Sequence, residues 1–174
     1  MIQANFHIFL QKMKTVLFIL LPLIVLSGCY TFRDASIPSN VNTIKVNFIE
    51  NRAQYVNPQL APQLTDRLRQ KINNQTRLTQ VQGDADYEIT AEIRNYMVTT
   101  SGVTNQQAAT NRLVVTVHVN LLNRVDPEGD IDDNITRNFD FSANLSLQQA
   151  EASLMEDILK GITDEIFNRI FSNW

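Results

Sequence analysis

Two stretches of this chain alternate apolar and polar residues strictly, and that period of two limits what it can fold into. In the first, Tyr87, Ile89, Ala91 and Ile93 take one side, and Asp86, Glu88, Thr90, Glu92 and Arg94 the other. In the second, Leu113, Val115, Val117, Val119 and Leu121 are opposed by Thr116, His118 and Asn120. Such segments are half-buried strands with one face that must be covered. Shorter runs with the same period occur at Ile44, Val46 and Phe48, and at Phe139, Phe141, Ala143 and Leu145. The cover comes from two stripes at helical spacing. One is Leu60, Leu64, Leu68 and Ile72, opened by Pro58 and ended by Asn73-Asn74, with Pro62 early enough to be tolerated. The other is Leu154, Ile158, Ile162, Ile166 and Ile170, flanked by Met155, Leu159, Phe167 and Phe171. Ser146 with Gln149 three residues on forms a capping box at its start.

The expected architecture is therefore an α+β two-layer sandwich of order β-α-β-β-β-α. Its four-stranded, mostly antiparallel sheet carries both helices on one face. Leu78 to Val81 adds at most a brief extended piece, and Gly83-Asp84 is a turn. At Asn95 the alternation changes phase, since Tyr96 and Val98 now carry the apolar side. A β-bulge there would add one residue and reverse the faces. Thr99 to Asn111 reads as a polar, uncharged loop, and Asp126 to Asp133 as an acidic turn.

The N-terminal segment is of another kind. Lys12-Met13-Lys14 precedes an apolar run from Val16 to Leu26, and Leu26-Ser27-Gly28-Cys29 closes it with the chain's only cysteine. A basic flank, a short apolar run and small residues before a cleavage point make a secretory signal peptide. The run is too short for a membrane span, which needs about 20 residues. Leu26-Ser27-Gly28-Cys29 resembles a bacterial lipobox, in which cleavage between Gly28 and Cys29 leaves a cysteine whose thiol carries a diacylglycerol. The acyl chains expected on Cys29 are of the palmitate type. The alternative for the same residues is a failed membrane anchor with an incidental cysteine. Met13 is the expected start of translation. Residues 1–28 are the signal, 29–42 a lipidated N-terminus and tether, and 43–174 a single domain. Tyr30 stands where an aspartate would retain the chain at the inner membrane, so the expected location is the outer membrane, with the domain facing the periplasm or a barrel lumen. With Cys29 lipidated, no disulfide can form within the chain.

The remaining residue types argue against catalysis. His118 is the only histidine after the signal, and there is no second cysteine, so neither a zinc set nor a nucleophile pair is available. Neither a Gly-x-Ser-x-Gly elbow nor a glycine-rich phosphate loop is present. The carboxylates from Asp126 to Asp133 place Ile131 and Arg137 where a calcium loop needs glycine and glutamate. The expectation is no metal and no cofactor. The full chain has a net charge of −3, and losing Lys12 and Lys14 makes it more acidic, which argues against nucleic acid. Arg67 and Lys71 lie one turn apart, where they either face a phosphate-bearing lipid or form a solvated helix flank.

The lipobox followed by Cys29-Tyr30-Thr31-Phe32, the first strand and helix, the Gly83-Asp84 turn before a long hairpin, and the terminal Phe171-Ser172-Asn173-Trp174 together resemble the LptE family, in its Bacteroidetes-type branch. That resemblance implies a non-catalytic outer-membrane lipoprotein that partners the LptD-type β-barrel and helps insert lipopolysaccharide. A structural envelope lipoprotein with no lipid substrate is the alternative. No motif around an arginine or lysine carries over lipid-contacting residues from distant members. A partner surface is expected at Tyr96, Val98, Val114 and Leu122, read as apolar residues on the face that lacks helices, with Thr104 and Gln107 in the inserting loop. The competing reading of the first of these is a local cluster in which Tyr96 packs on Val114.

Overall fold

The computed structural model describes residues 37–104 and 107–172. The signal, Gly28, Cys29 and the terminal Asn173-Trp174 lie outside the described residues. Strands β1 (Thr43–Val46) and β2 (Glu50–Asn51) precede helix α1 (Leu60–Gln75). Next come β3 (Thr79–Gln80), the hairpin β4 (Tyr87–Thr104) and β5 (Gln107–Asn123), a 3-10 turn at Pro127–Gly129, β6 (Ile131–Ser142) and α2 (Leu147–Phe171).

The fold is α+β, with two helices on a mixed sheet, but the sheet has six strands rather than four. Its order is β3-β1-β4-β5-β6, and β2 pairs with β4 beyond the end of β1. β1 runs parallel to both β3 and β4, whereas β4, β5 and β6 are an antiparallel meander. A parallel neighbour requires a crossover, which α1 provides. The extra strands are two residues each, too short to leave an alternation in the sequence.

The stripes meet the sheet as their spacing predicts. Leu60, Leu64, Leu68 and Ile72 of α1, with Ile158, Ile162 and Ile166 of α2, are fully buried against Leu113, Val115, Val117 and Val119. The capping box is present. Ser146 Oγ accepts from the Gln149 N–H at 3.3 Å, and the Ser146 N–H donates to Gln149 Oε1 at 3.0 Å. No described helix is long and apolar enough to cross a membrane.

Four local expectations are corrected. Phe48 does not continue the β1 face: it is 55% exposed, and Ile49, 1% exposed, takes the core position. The chain leaves the ladder between β1 and β2, and the Ile49 N–H donates to Thr65 Oγ1 of α1 at 3.0 Å. The fourth strand ends at Ser142, so Ala143 and Leu145 lie in the connection to α2. The acidic turn is only Pro127–Gly129, and Asp132 and Asp133 belong to β6. Lastly, the described residues of the expected Thr99 to Asn111 loop are strand. β4 and β5 stay paired to Thr104↔Gln107, with register shifts at Thr100/Gly102 and Gly102/Val103.

The bulge expected near Asn95 is present, as a register shift between Ile93 and Asn95. Its effect is opposite to the one expected. A phase change alone would turn the apolar residues outward, and an extra residue alone would do the same; together they cancel. Tyr96 therefore pairs with Val115 on the helix side and is buried.

Candidate docking face

The sheet face away from the helices is a lattice of charge pairs. Glu88 accepts from Asn47 Nδ2 at 2.9 Å, Arg124 Nη2 at 2.8 Å and Lys45 Nζ at 3.0 Å. Arg94 and Arg52 both reach Glu92, at 2.6 and 3.4 Å. Farther toward the hairpin, Arg112 holds Asp140 through two bonds of 2.6 and 2.9 Å, and the hydroxyls of Thr116 and Thr136 bond at 3.0 Å. His118 stands on this face as expected, with Nε2 at 3.5 Å from Asp132, but its side chain is mostly covered by neighbours.

Those three donors hold the Glu88 carboxyl at about 2, Asn47 contributing most, then Arg124 and Lys45. A carboxyl depressed from its ordinary value of roughly 4.3 stabilises the fold fully above that value. The contribution then declines with falling pH and is gone below the folded-state value. Glu88→Gln is thus expected to lower stability by about 1–2 kcal/mol at neutral pH, allowing for solvent screening. Urea midpoints across an acid series should show the gap to wild type closing as pH falls from about 5 towards 2. A gap independent of pH would mean that Glu88 acts by shape rather than charge.

The surface at the hairpin end differs in character. β6 accompanies β5 only as far as Thr110↔Ser142, and β2 leaves β4 at Ile93, so the last part of the β4–β5 ribbon overhangs the sheet. Met97, 47% exposed, sits across from the half-buried Val114 on the open face. Leu122 is also on that face, but it pairs with Glu88 at the opposite end of the strand. Val98 pairs with Leu113 and is 37% exposed on the helix side. The four expected partner residues therefore do not form one patch. Tyr96 and Val98 are corrected to the helix side, and Val114 is the cross-strand partner of Met97 rather than of Tyr96. Met97 was missed, although it is the residue that the bulge turns outward next.

Tyr96 belongs instead to a cluster beneath residues 52–58. It stacks on Tyr55 at 5.6 Å between ring centroids, and Tyr55 Oη donates to Glu151 Oε2 of α2 at 3.2 Å. Burial, followed by the nearby Glu151 carboxylate, pushes the Tyr96 hydroxyl well up. This arrangement pins the segment before α1 to the start of α2.

Arg67 and Lys71 face acids rather than an open surface. Arg67 lies 2.6 Å from Glu156 and Lys71 2.8 Å from Asp164, which ties α1 to α2. Lys71 also sits 5.0 Å above the Phe167 ring. A phosphate would have to displace these pairs, so their first role is to join the helices. The carboxylates of the expected acidic turn are likewise spread among separate partners. Asp126 caps the 3-10 turn, Asp130 accepts from the Asn123 N–H, and Asp133 pairs with Arg169. Among the described residues no three His, Cys, Asp or Glu side chains are grouped to hold a metal.

The sheet is thus closed on one side by two helices and open on the other, an α+β two-layer module. The LptE lipopolysaccharide-assembly family model matches residues 41–170. The chain belongs to the LptE family. No curated protein matches the sequence. Among solved structures, uncharacterized lipoprotein B from Nitrosomonas europaea is similar at 14% identity, covering 76% of this chain and 83% of that one, with a TM-score of 0.52. A hypothetical protein from Chlamydia trachomatis is similar at 10% identity, covering 76% of this chain and 99% of that one, with a TM-score of 0.51. A minor lipoprotein from Acinetobacter baumannii reaches 12%, with 76% and 94% covered and a TM-score of 0.50. These likenesses are of fold.

Proposed function

We propose that this protein is an outer-membrane lipoprotein that partners an LptD-type β-barrel in lipopolysaccharide transport, acting by binding and plugging rather than catalysis. In this reading residues 1–28 are removed as a signal. Cys29 carries the lipid anchor, 29–42 tether the domain, and 43–174 face the periplasm or the barrel lumen. Family membership supports the lipopolysaccharide role. The overhanging β4–β5 ribbon is the observation that carries the partner. It is uncharged between Thr99 and Asn111, and β4 and β5 pair with each other along it, so only the outward backbone groups of its two edges are left for a partner strand or water to satisfy. Met97 and Val114 at its base offer apolar contact on the same side as the charge lattice.

Photoreactive residues at Thr104 and Gln107, the last Cα partners of the β4–β5 ladder, should crosslink to a large β-barrel protein in intact cells. One at Asp130, beside the 3-10 turn, should give a much lower yield. Equal yields at all three positions, or no barrel product, would remove the hairpin as the docking element.

A further inference from the structure

Charge neutralisation is uneven in this molecule. Among the described residues, Arg52, Arg67, Arg94, Arg112, Arg124, Arg137 and Arg169 each have a carboxylate within 4.0 Å. Arg69 and Arg77 are the described arginines that do not. Both line the same open pocket of about 660 Å³, between the C-terminal half of α1 and β3, where Gln70, Asn73, Thr76 and Gln80 add polar groups and no acid. The two guanidinium groups bond neutral acceptors. Arg69 donates to the Val46 carbonyl at 2.8 Å, and Arg77 to the carbonyls of Ile37 and Pro38 and to Asn42 Oδ1. Such bonds orient the side chains and leave both charges whole. The C-terminus of α1 contributes only about half a negative charge against two positive ones. Two arginines with no carboxylate partner among the described residues thus share one polar pocket, and planar guanidinium donors suit phosphate oxygens.

The position of the pocket suggests what carries the phosphate. Arg77, which lines the pocket, also donates to the carbonyls of Ile37 and Pro38, close in sequence to Cys29. From Cys29 to Ile37 a fully extended chain spans at most roughly 28 Å. We propose that this pocket binds the phosphate of a membrane lipid headgroup on the surface to which the domain is tethered. The membrane part of this proposal rests on the reading of Cys29 as the anchor. A bound headgroup would fix which end of the domain faces the bilayer and so aim the β4–β5 ribbon.

The test is calorimetric titration of the mature protein in dodecyl maltoside micelles with dioctanoyl phosphatidylglycerol, dioctanoylglycerol and inorganic phosphate. Phosphatidylglycerol should bind, and Arg69→Gln should weaken it about tenfold, the loss of one charge-assisted contact. Gln70→Glu removes neither arginine's orienting bonds but adds a carboxylate to the pocket, and it should weaken binding at least as much. Arg112→Gln, which has the same charge change on the open face, should bind as wild type. Cys29→Ala, prepared without residues 1–28, should bind the short-chain lipid normally while lacking the acyl anchor, so failure of the anchor and failure of the pocket are read separately. Equal binding by wild type, Arg69→Gln and Gln70→Glu would overturn the proposal, as would equal binding of dioctanoylglycerol. Inorganic phosphate binding as tightly as the lipid would overturn the headgroup assignment.

Discussion

Replacing Ile162 with alanine is expected to lower the unfolding free energy by about 2–5 kcal/mol, a large share of the roughly 5–15 available to a domain of this size. Ile162 is fully buried at the centre of α2, packed into a core shared with α1 and the sheet. Truncation removes three carbons and leaves a cavity that a rigid sheet on one side and α1 on the other cannot readily close. Ile158, one turn earlier and equally buried, should behave alike. Asp157 is exposed, and its replacement should stay within about 0.5 kcal/mol. Asp164, which spacing alone places off the stripe, holds Lys71 at 2.8 Å, so its loss should cost more than that of Asp157, up to about 1 kcal/mol. Urea unfolding of a chain lacking residues 1–29 measures all four. Coincident midpoints would contradict the packing of α2 on the sheet.

Loss of acylation should be complete in Cys29→Ala, because the chain has no other thiol to acylate. One acyl chain gives only marginal, reversible binding, and two or more give stable anchoring, so the wild type should carry several. Growth with a radioactive fatty acid should label the wild type and leave the variant unlabelled, as an unprocessed precursor. Persistent label in the variant would refute Cys29 as the attachment site. The variant's fold should be unaffected, since the described core, Val41 onward with Ile37 packed against it, lies wholly after Cys29.

Tyr96 sits where local pattern and tertiary register part company. Period two assigns residues to two faces, and the phase change at Asn95 correctly announces a bulge in β4. Which face Tyr96 then occupies depends on how β4 registers against β5, and Val115 settles that from across the hairpin. Thr99 to Asn111 looks like a loop because a polar ribbon with no core to face carries no alternation; its strand character comes from pairing alone. Arg67 and Lys71 lie on one helix flank by spacing, but Glu156 and Asp164, which occupy them, come from a helix far along the chain. The pocket at Arg69 and Arg77 is formed by α1, β3 and the segment at Ile37, which no local pattern links.

The sequence by itself determined the strand and helix periods, the capping box at Ser146, the two-layer α+β plan and the single candidate lipidation site. Each is a local matter: side-chain direction repeats every two residues in a strand and every 3.6 in a helix, and caps and signals are contiguous. Only the tertiary structure decided the six-stranded mixed sheet, the burial of Tyr96, the exposure of Met97 and the partner of each charge. Those depend on register and on which distant residues share a surface, and the energies that select them arise only when the chain closes on itself.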